Sequence, residues 1–412
     1  MERIYGLLGR KLGHSWSAPI HHELGCSAYR LIELEPEELV LFLKREDIGG
    51  LNVTIPYKRA VMEYCDELDP LAQAIGSVNT IVRRNGKLHG YNTDAIGLRY
   101  MASRAGIAFV GKKVVVLGSG GASLTAQALA KADGAREVVV ISRSGENNYE
   151  NLHLHADADL IINATPVGMF PRCGESPVDL RAFPQCSGVL DAIYNPRRTA
   201  LLLQAEELGI SCSDGLPMLV AQAVAAEEYF FDKTIPASET ERILRLLRSR
   251  MTNIVLIGMP GSGKTTVGEA LEQLTGREAI DLDREIVRRA GRSIPEIFAS
   301  DGEASFRELE RQVTAEIGAM SGKLILTGGG VVKDPRNYAP LHQNGRIYHI
   351  WRELDVLPVE GRPISQRSSA EALWAERKPL YEAFRDALVD NNGTVEETAQ
   401  AIWRDFCEDS GT

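Results

Sequence analysis

Apolar residues in this chain come in short runs that stop at a glycine, a proline or a polar side chain. Residues 4–9, 51–55, 76–82, 89–94, 113–117, 137–141, 160–163, 190–194, 253–257, 279–283, 324–326 and 347–350 all read this way. Runs such as Lys113-Val114-Val115-Val116-Leu117 and Asn253-Ile254-Val255-Leu256-Ile257 predict buried strands. Between the runs lie stretches of helical character: residues 124–132, the stretch entered at Asp214, residues 239–250, and the stretch from Lys264 to about Gly276. In residues 239–250, Ile243, Leu244, Leu246 and Leu247 stand among charged neighbours, as in an amphipathic helix. Strands and helices alternating along a chain predict the α/β class, with parallel sheets flanked by helices.

The 412 residues, 44% hydrophobic and 25% charged, suffice for two or three packed domains. A formal charge of −10 with no strongly basic half argues against a nucleic-acid surface. Cys26, Cys65, Cys173, Cys186, Cys212 and Cys407 are scattered without a CxxC pair, which fits reduced thiols better than disulfides or a zinc site. There is no signal-type apolar start and no run of about 18 apolar residues, so a cytoplasmic protein, monomer or homodimer, without a membrane partner is expected.

Candidate chemistry sits where the runs end. Residues 258–265, GMPGSGKT, follow a strand-like run and open a helix-like one, and so complete the pattern GxxxxGK[ST]. Gly261, Ser262 and Gly263 let backbone N–H groups turn toward phosphate oxygens. Lys264 reaches the terminal phosphates, Thr265 offers a hydroxyl to Mg²⁺, and Thr266 follows on the helix. Asp281 and Asp283, two apart at a strand end, suit a metal held through water and a phosphoryl acceptor hydroxyl. Earlier, Gly118, Ser119, Gly120, Gly121 and Ala122 form a second glycine turn between strand and helix, the pyrophosphate-binding arrangement of a Rossmann unit. After the next strand comes Ser142-Arg143, where a basic residue favours a ribose 2′-phosphate and hence NADP(H). About fifteen residues separate this turn from the strand at 160–163, too few for a full crossover helix. Near the start, Ser15 and Ser17 can hold a polar ligand or cap the following helix.

Four ordered stretches, HSWS, NVTIPYK, SVNT and YNTD, resemble the shikimate dehydrogenase family over residues 4–245. The resemblance implies a shikimate pocket lined by Ser15, Ser17, Thr54, Asn79, Asp94 and Gln222, with Tyr194 beside it and Lys58 and Asp94 as the catalytic pair. A lysine beside a carboxylate can give and recover the proton that a ketone needs as hydride arrives. The NATPVGM stretch containing Asn163 and Thr165 is implied to lie near the nicotinamide, and Gly215 precedes a helix that folds back on the first domain.

From about residue 253 onward the chain resembles shikimate kinase. This implies ATP and Mg²⁺ at Lys264, Thr265 and Asp281, and shikimate hydroxyls at Asp283. It also implies a substrate carboxylate gripped by Arg307 and Arg377, Gly328, Gly329 and Gly330 against the ring, and Arg362 approaching the transferring phosphate. Only residues 352–361 precede Arg362, a short lid for which weaker ATP affinity is expected. The expected domains are 1–98 for substrate, completed by helices within 218–247; 99–217 for NADP; a linker at 248–252; and 253–412 for the kinase. The expected activity is NADPH-dependent reduction of 3-dehydroshikimate followed by ATP-dependent phosphorylation of shikimate. Quinate dehydrogenase activity in the first half, or a ligand-sensing regulator derived from both, are the alternatives.

Overall fold

The computed structural model describes residues 3–13, 15–356 and 367–410. Arg362 and residues 357–361 of the expected lid lie outside the described residues.

The first sheet has six strands: β1 (Ile4–Gly9), β2 (Tyr29–Glu33), β3 (Ile48–Val53), β4 (Glu67–Leu68), β5 (Thr80–Arg84) and β6 (Lys87–Tyr91). Their order is β2-β1-β3-β5-β6-β4. β1 pairs in parallel with β2 and β3, whereas β5 runs antiparallel to both β3 and β6. Asn85 and Gly86, at φ 51° and 81°, make the tight β5–β6 turn, because a two-residue hairpin that matches strand twist needs two left-handed residues. Helix Leu216–Phe231 buries Val220, Ala223, Val224, Ala226 and Phe230, and packs along helix Thr93–Arg104. The two helices approach closely because residue 97 is glycine: a Cβ there would lie 2.4 Å from the Met218 carbonyl oxygen. Glu227 on the long helix is fully buried and meets His21 Nδ1 at 2.7 Å.

Five parallel strands make the second sheet: β7 (Lys113–Leu117), β8 (Glu137–Ile141), β9 (Leu160–Asn163), β10 (Gly188–Asp191) and β11 (Ser211–Ser213), in the order β11-β10-β9-β7-β8. Val115, Leu117, Ile141, Ile161 and Val189 form one of its cores and Val114, Val116, Leu160 and Leu190 another, so the successive apolar positions face both sides. Between β8 and β9 the chain holds only the short 3-10 helix Leu152–His155. The crossover is trimmed, as its length implies.

β12 (Asn253–Ile257), β13 (Ala279–Asp281), β14 (Leu324–Leu326), β15 (Gly345–Trp351) and β16 (Ala387–Asp390) form the third sheet, all parallel, in the order β13-β14-β12-β15-β16. Residues 248–251, expected as linker, are instead the last turn of helix Ala237–Met251, and Thr252 alone separates it from β12. Leu247 and Met251 are buried there, and the Arg277 guanidinium donates to the carbonyls of Ser249 and Thr252, at 2.5 and 2.7 Å. Burial and capped carbonyls keep these residues helical. The chain divides into two compact units, the first containing the first two sheets and the second the third. Among the described residues no helix is long and apolar enough to cross a membrane.

Gly97 gives a test of the first unit's packing. Alanine gains about 1 kcal/mol in helix propensity, but overpacking against a backbone carbonyl costs about 1–3 kcal/mol. The obstacle is a backbone carbonyl, which cannot yield as a flexible side chain does, so the cost falls in the upper half of that range, and Gly97→Ala should destabilise the first unit by about 1–2 kcal/mol in urea unfolding. Unchanged or higher stability would show that the two helices are free to separate.

Candidate active sites

In the first unit β3 ends at Val53, and Thr54 to Tyr57 carry the chain to Lys58. Lys58 Nζ donates to Asp94 Oδ2 at 2.5 Å, with 21% and 14% of the two side chains exposed. Asp94 enters from the first turn of helix Thr93–Arg104, where the helix N-terminus favours negative charge. Its other oxygen accepts from Asn79 Nδ2 at 2.8 Å, while Asn79 Oδ1 accepts from the Thr93 N–H at 2.7 Å. Behind them runs a buried string of donors. Tyr29 donates to Asn52 Oδ1 at 2.8 Å, Asn52 Nδ2 to Thr80 Oγ1 at 3.2 Å, and Thr80 Oγ1 to Asn79 Oδ1 at 3.2 Å. Gln222 reaches the same place from helix Leu216–Phe231, its Oε1 3.5 Å from Thr93 Oγ1 and its Nε2 bonded to the Leu219 carbonyl. Ser15 Oγ accepts from the Ser17 N–H at 3.2 Å just before helix Ser17–Glu23, whose N-cap position is Trp16, and Ser17 itself is buried. Thr54 follows β3, its N–H bonded to the Leu8 carbonyl. Tyr194 follows β10, and burial raises its hydroxyl pKa.

The dinucleotide loop opens beside this pair. Gly118 sits at φ +104°, and a Cβ there would come within 3.1 Å of the Ala164 carbonyl oxygen. Space is open beside Gly120, which with Ser119 is exposed at the start of helix Gly121–Ala132; Ala122 continues that first turn. A Cβ on Gly121 would stand 3.9 Å from the stem of Lys58, so the loop and the Lys58–Asp94 pair share one cleft. Arg143 is exposed after β8, next to Ser142. Asn163 is fully buried. Its Oδ1 accepts from the Thr165 N–H and hydroxyl at 3.0 and 2.7 Å, and its Nδ2 donates to Asp191 at 3.0 Å. These bonds fix the turn that follows β9. Gly215 lies so close to Ala192 that a Cβ would be 2.1 Å from its carbonyl oxygen.

In the second unit Gly258, Gly261 and Gly263 have φ of +150°, +84° and +92°, a backbone that residues with side chains avoid. Lys264 is 9% exposed and donates to the carbonyls of Gly258 and Met259, at 2.9 and 3.0 Å. Burial lowers its pKa to about 8, against the opposing pull of Asp283 and Asp281. The Ser262 hydroxyl is buried without a partner, and this orphan donor inside the glycine loop fits a phosphate oxygen. Thr266 already donates to the Gly263 carbonyl at 2.9 Å. Thr265, Asp281 and Arg284 line one groove of about 390 Å³, and Asp281 also caps helix Leu282–Ala290 through the Arg284 N–H.

Asp283 packs against Gly328, where a Cβ would lie 2.5 Å from its carboxylate. Burial first, and Asp281 second, raise its pKa, while Lys264 and Arg307 oppose. Gly330 leaves room for the Arg307 guanidinium, 2.8 Å from where a Cβ would be. Arg307 donates to the buried Glu310 at 2.7 Å and to Glu303 at 3.2 Å. Arg377 donates to the Gly329 carbonyl at 2.8 Å and keeps a buried, unpartnered Nε. Lys264, Asp283, Arg307, Arg377 and Gly328 to Gly330 therefore lie together as neighbours.

Sequence reasoning missed three supporting groups. Tyr381 also donates to the Gly329 carbonyl, at 2.6 Å, and its ring stacks on His349 at 4.7 Å. Glu310 anchors Arg307, and its only signal was helical spacing of three residues. Asn52 and Thr80 lie in strand-like runs whose polar members read as ordinary, and Tyr29 lies in strand β2, which the apolar runs did not include.

Comparison with known proteins matches both parts of the chain. Residues 7–81 match the family model described as shikimate dehydrogenase substrate binding domain, and residues 260–406 match that of shikimate kinase. The chain is 36% identical over 261 residues to shikimate dehydrogenase (NADP(+)) of Bacillus cereus (strain B4264), which covers 57% of this chain and 94% of the relative. The corresponding protein of Clostridium perfringens (strain SM101 / Type A) is 35% identical over 269 residues, 60% of this chain and 99% of the relative. Among solved structures, a chorismate mutase/shikimate 5-dehydrogenase fusion protein from Clostridium acetobutylicum superposes with a TM-score of 0.57 and 38% identity. It covers 60% of this chain and 97% of that one. Shikimate 5-dehydrogenase from Thermus thermophilus in complex with NADP(H) and shikimate gives 0.54 and 31%, over 60% and 99%. With the Lys58–Asp94 cleft on an NADP-type loop in one unit and a phosphate loop within the matched kinase region in the other, the chain belongs to the shikimate dehydrogenase family and carries a shikimate kinase domain, an oxidoreductase and a kinase in one polypeptide.

Proposed function

We propose that the first unit reduces 3-dehydroshikimate to shikimate with NADPH and that the second phosphorylates the 3-hydroxyl of shikimate with Mg-ATP. The observation that carries this reading is that each unit sets a lysine and an aspartate beside a glycine loop: Lys58–Asp94 at Gly121, and Lys264–Asp283 at the loop after β12. The two matched families also name the same compound, the product of one and the substrate of the other.

In the first unit, Ser15, Ser17, Thr54, Asn79, Tyr194 and Gln222 would hold the hydroxyls and carboxylate of the substrate. NADPH, when bound against residues 118–122, Ser142, Arg143, Asn163, Thr165 and Gly215, supplies the hydride. Lys58, held on Asp94 at 2.5 Å, gives its proton to the carbonyl oxygen, so ketone, hydride and proton balance as an alcohol. Run backward, the same amine recovers that proton.

In the second unit, ATP supplies the phosphoryl group. Lys264 and the N–H groups of Gly261, Ser262 and Gly263 neutralise phosphate charge, while Thr265 and, through water, Asp281 would hold Mg²⁺. Asp283 orients the acceptor hydroxyl and takes its proton, a role that its raised pKa favours. Arg307 and Arg377 grip the substrate carboxylate as planar forks, and Arg362 is assigned to the transferring phosphate.

Two measurements test this. With 3-dehydroshikimate, NADPH and Mg-ATP together, Lys58→Ala should slow NADPH loss at least about 100-fold, with ADP formation from added shikimate retained. Lys264→Ala should do the reverse. Reduction lost with Lys264→Ala, or undiminished with Lys58→Ala, would overturn the assignment. The second concerns pH. Phosphate oxygens favour charged Lys264, whose pKa without nucleotide is about 8. Binding of ATP should therefore take up a proton above about pH 8, and affinity should fall as pH rises further. Calorimetry at pH 8.5 in buffers of different ionisation enthalpy reads this uptake, which should vanish in Lys264→Met.

A further inference from the structure

The phosphate loop is held from behind by a residue that belongs to no motif. Asn391 follows β16, is 3% exposed, and has all its hydrogen-bonding groups engaged except its own carbonyl. Its N–H donates to the Trp351 carbonyl at 2.8 Å. Its Nδ2 donates to the Ser262 carbonyl at 2.7 Å, and its Oδ1 accepts from the Thr398 hydroxyl at 2.8 Å. The partners dictate the amide's orientation: a carbonyl can only accept, and turning the amide over would set oxygen against oxygen.

The peptide between Ser262 and Gly263 is the one that most needs such a hold. Gly263 has φ +92° and no side chain, so this peptide can rotate at little steric cost. Rotation would exchange the Ser262 carbonyl with the Gly263 N–H. The loop would then present an oxygen to the phosphates where it should present a donor. Asn391 ties that carbonyl outward. It also packs so close that a Cβ on Gly263 would lie 2.4 Å from its Nδ2, which leaves one conformation of loop and amide together. Thr398, 2% exposed, fixes the amide in turn.

We infer that Asn391 is a positioning residue for nucleotide binding, which holds the Ser262–Gly263 peptide with its N–H toward the phosphates, and that Thr398 supports it. The inference rests on the kinase reading only in assigning ATP to this loop, and ADP binding tests it without reference to the acceptor.

The experiment uses the full chain with Asn391→Asp, Asn391→Leu and Thr398→Val. Asn391→Asp keeps shape and burial but faces the Ser262 carbonyl with an oxygen. Mg-ADP binding by calorimetry and the KM values for ATP and shikimate are measured for each, with the NADPH reaction as a check on the preparation. Loss of one buried hydrogen bond corresponds to about a tenfold change in binding. Asn391→Asp and Asn391→Leu should weaken ADP binding and raise the ATP KM by about tenfold, and Thr398→Val by about threefold, with the shikimate KM within about twofold of wild type. ADP affinity within about twofold of wild type in both Asn391 variants would overturn the inference. So would parallel loss of both KM values with a lowered melting point, since that is what a merely structural residue gives. If Asn391→Leu does not fold, Asn391→Asp and Thr398→Val decide. A wild-type chain that binds Mg-ADP but forms no ADP with shikimate would refute the acceptor assignment and leave this inference standing.

Discussion

A parallel strand buried on both faces has only its carboxyl end free to carry chemistry, and this constraint organises the molecule. Lys58 follows β3, Gly118 follows β7, Arg143 follows β8, and Tyr194 follows β10. The phosphate loop follows β12, Asp281 ends β13, the three glycines follow β14, and Asn391 follows β16. The sheets supply rigidity, and the loops at one edge supply the reactive groups. Glycine is used where backbone itself must serve as ligand or where a charged side chain needs to lie flat against it, as at Gly328 beside Asp283 and Gly330 beside Arg307.

The two lysines show how burial divides labour. Lys58 keeps a fifth of its side chain exposed and has a carboxylate partner at 2.5 Å, so it stands between solvent and Asp94. Lys264 is nearly enclosed, its hydrogen-bond partners among the described residues are backbone carbonyls, and burial brings its pKa to about 8 against the pull of Asp283 and Asp281. The neighbouring hydroxyl of Ser262 is buried without a partner. Both features lie at the same loop, where the proposed nucleotide phosphates would answer them.

The strands and the helices around the glycine loops were legible because long apolar runs and glycine spacing are local signals. The trimmed β8–β9 crossover followed from chain length alone. The helix read at 239–250 runs to Met251 and overlaps the join expected at 248–252, because no glycine or proline marks its limit in the sequence. That limit was set by Leu247, Met251 and the Arg277 guanidinium, which is 26 residues away in sequence from Met251. The same applies to the sites. Lys58, Asp94 and Lys264 stand in recognisable motifs, whereas Asn391 reads as part of an Asn-Asn-Gly turn and Glu310 as one more surface glutamate. Asn391 takes its role from Ser262, more than a hundred residues distant, and Glu310 takes its role from burial beside Arg307, neither of which a local pattern encodes.

The string from Tyr29 through Asn52, Thr80 and Asn79 to Asp94 has a direction, since each member donates toward the carboxylate. Two of its links are amides, which do not surrender hydrogen under these conditions. The amides therefore interrupt proton traffic along the string, while the Thr80 hydroxyl has a second partner in Thr93 Oγ1 at 3.1 Å. In the proposed reduction, a proton given by Lys58 would return from the open side of the cleft, so reloading of the amine would be governed by water at its mouth.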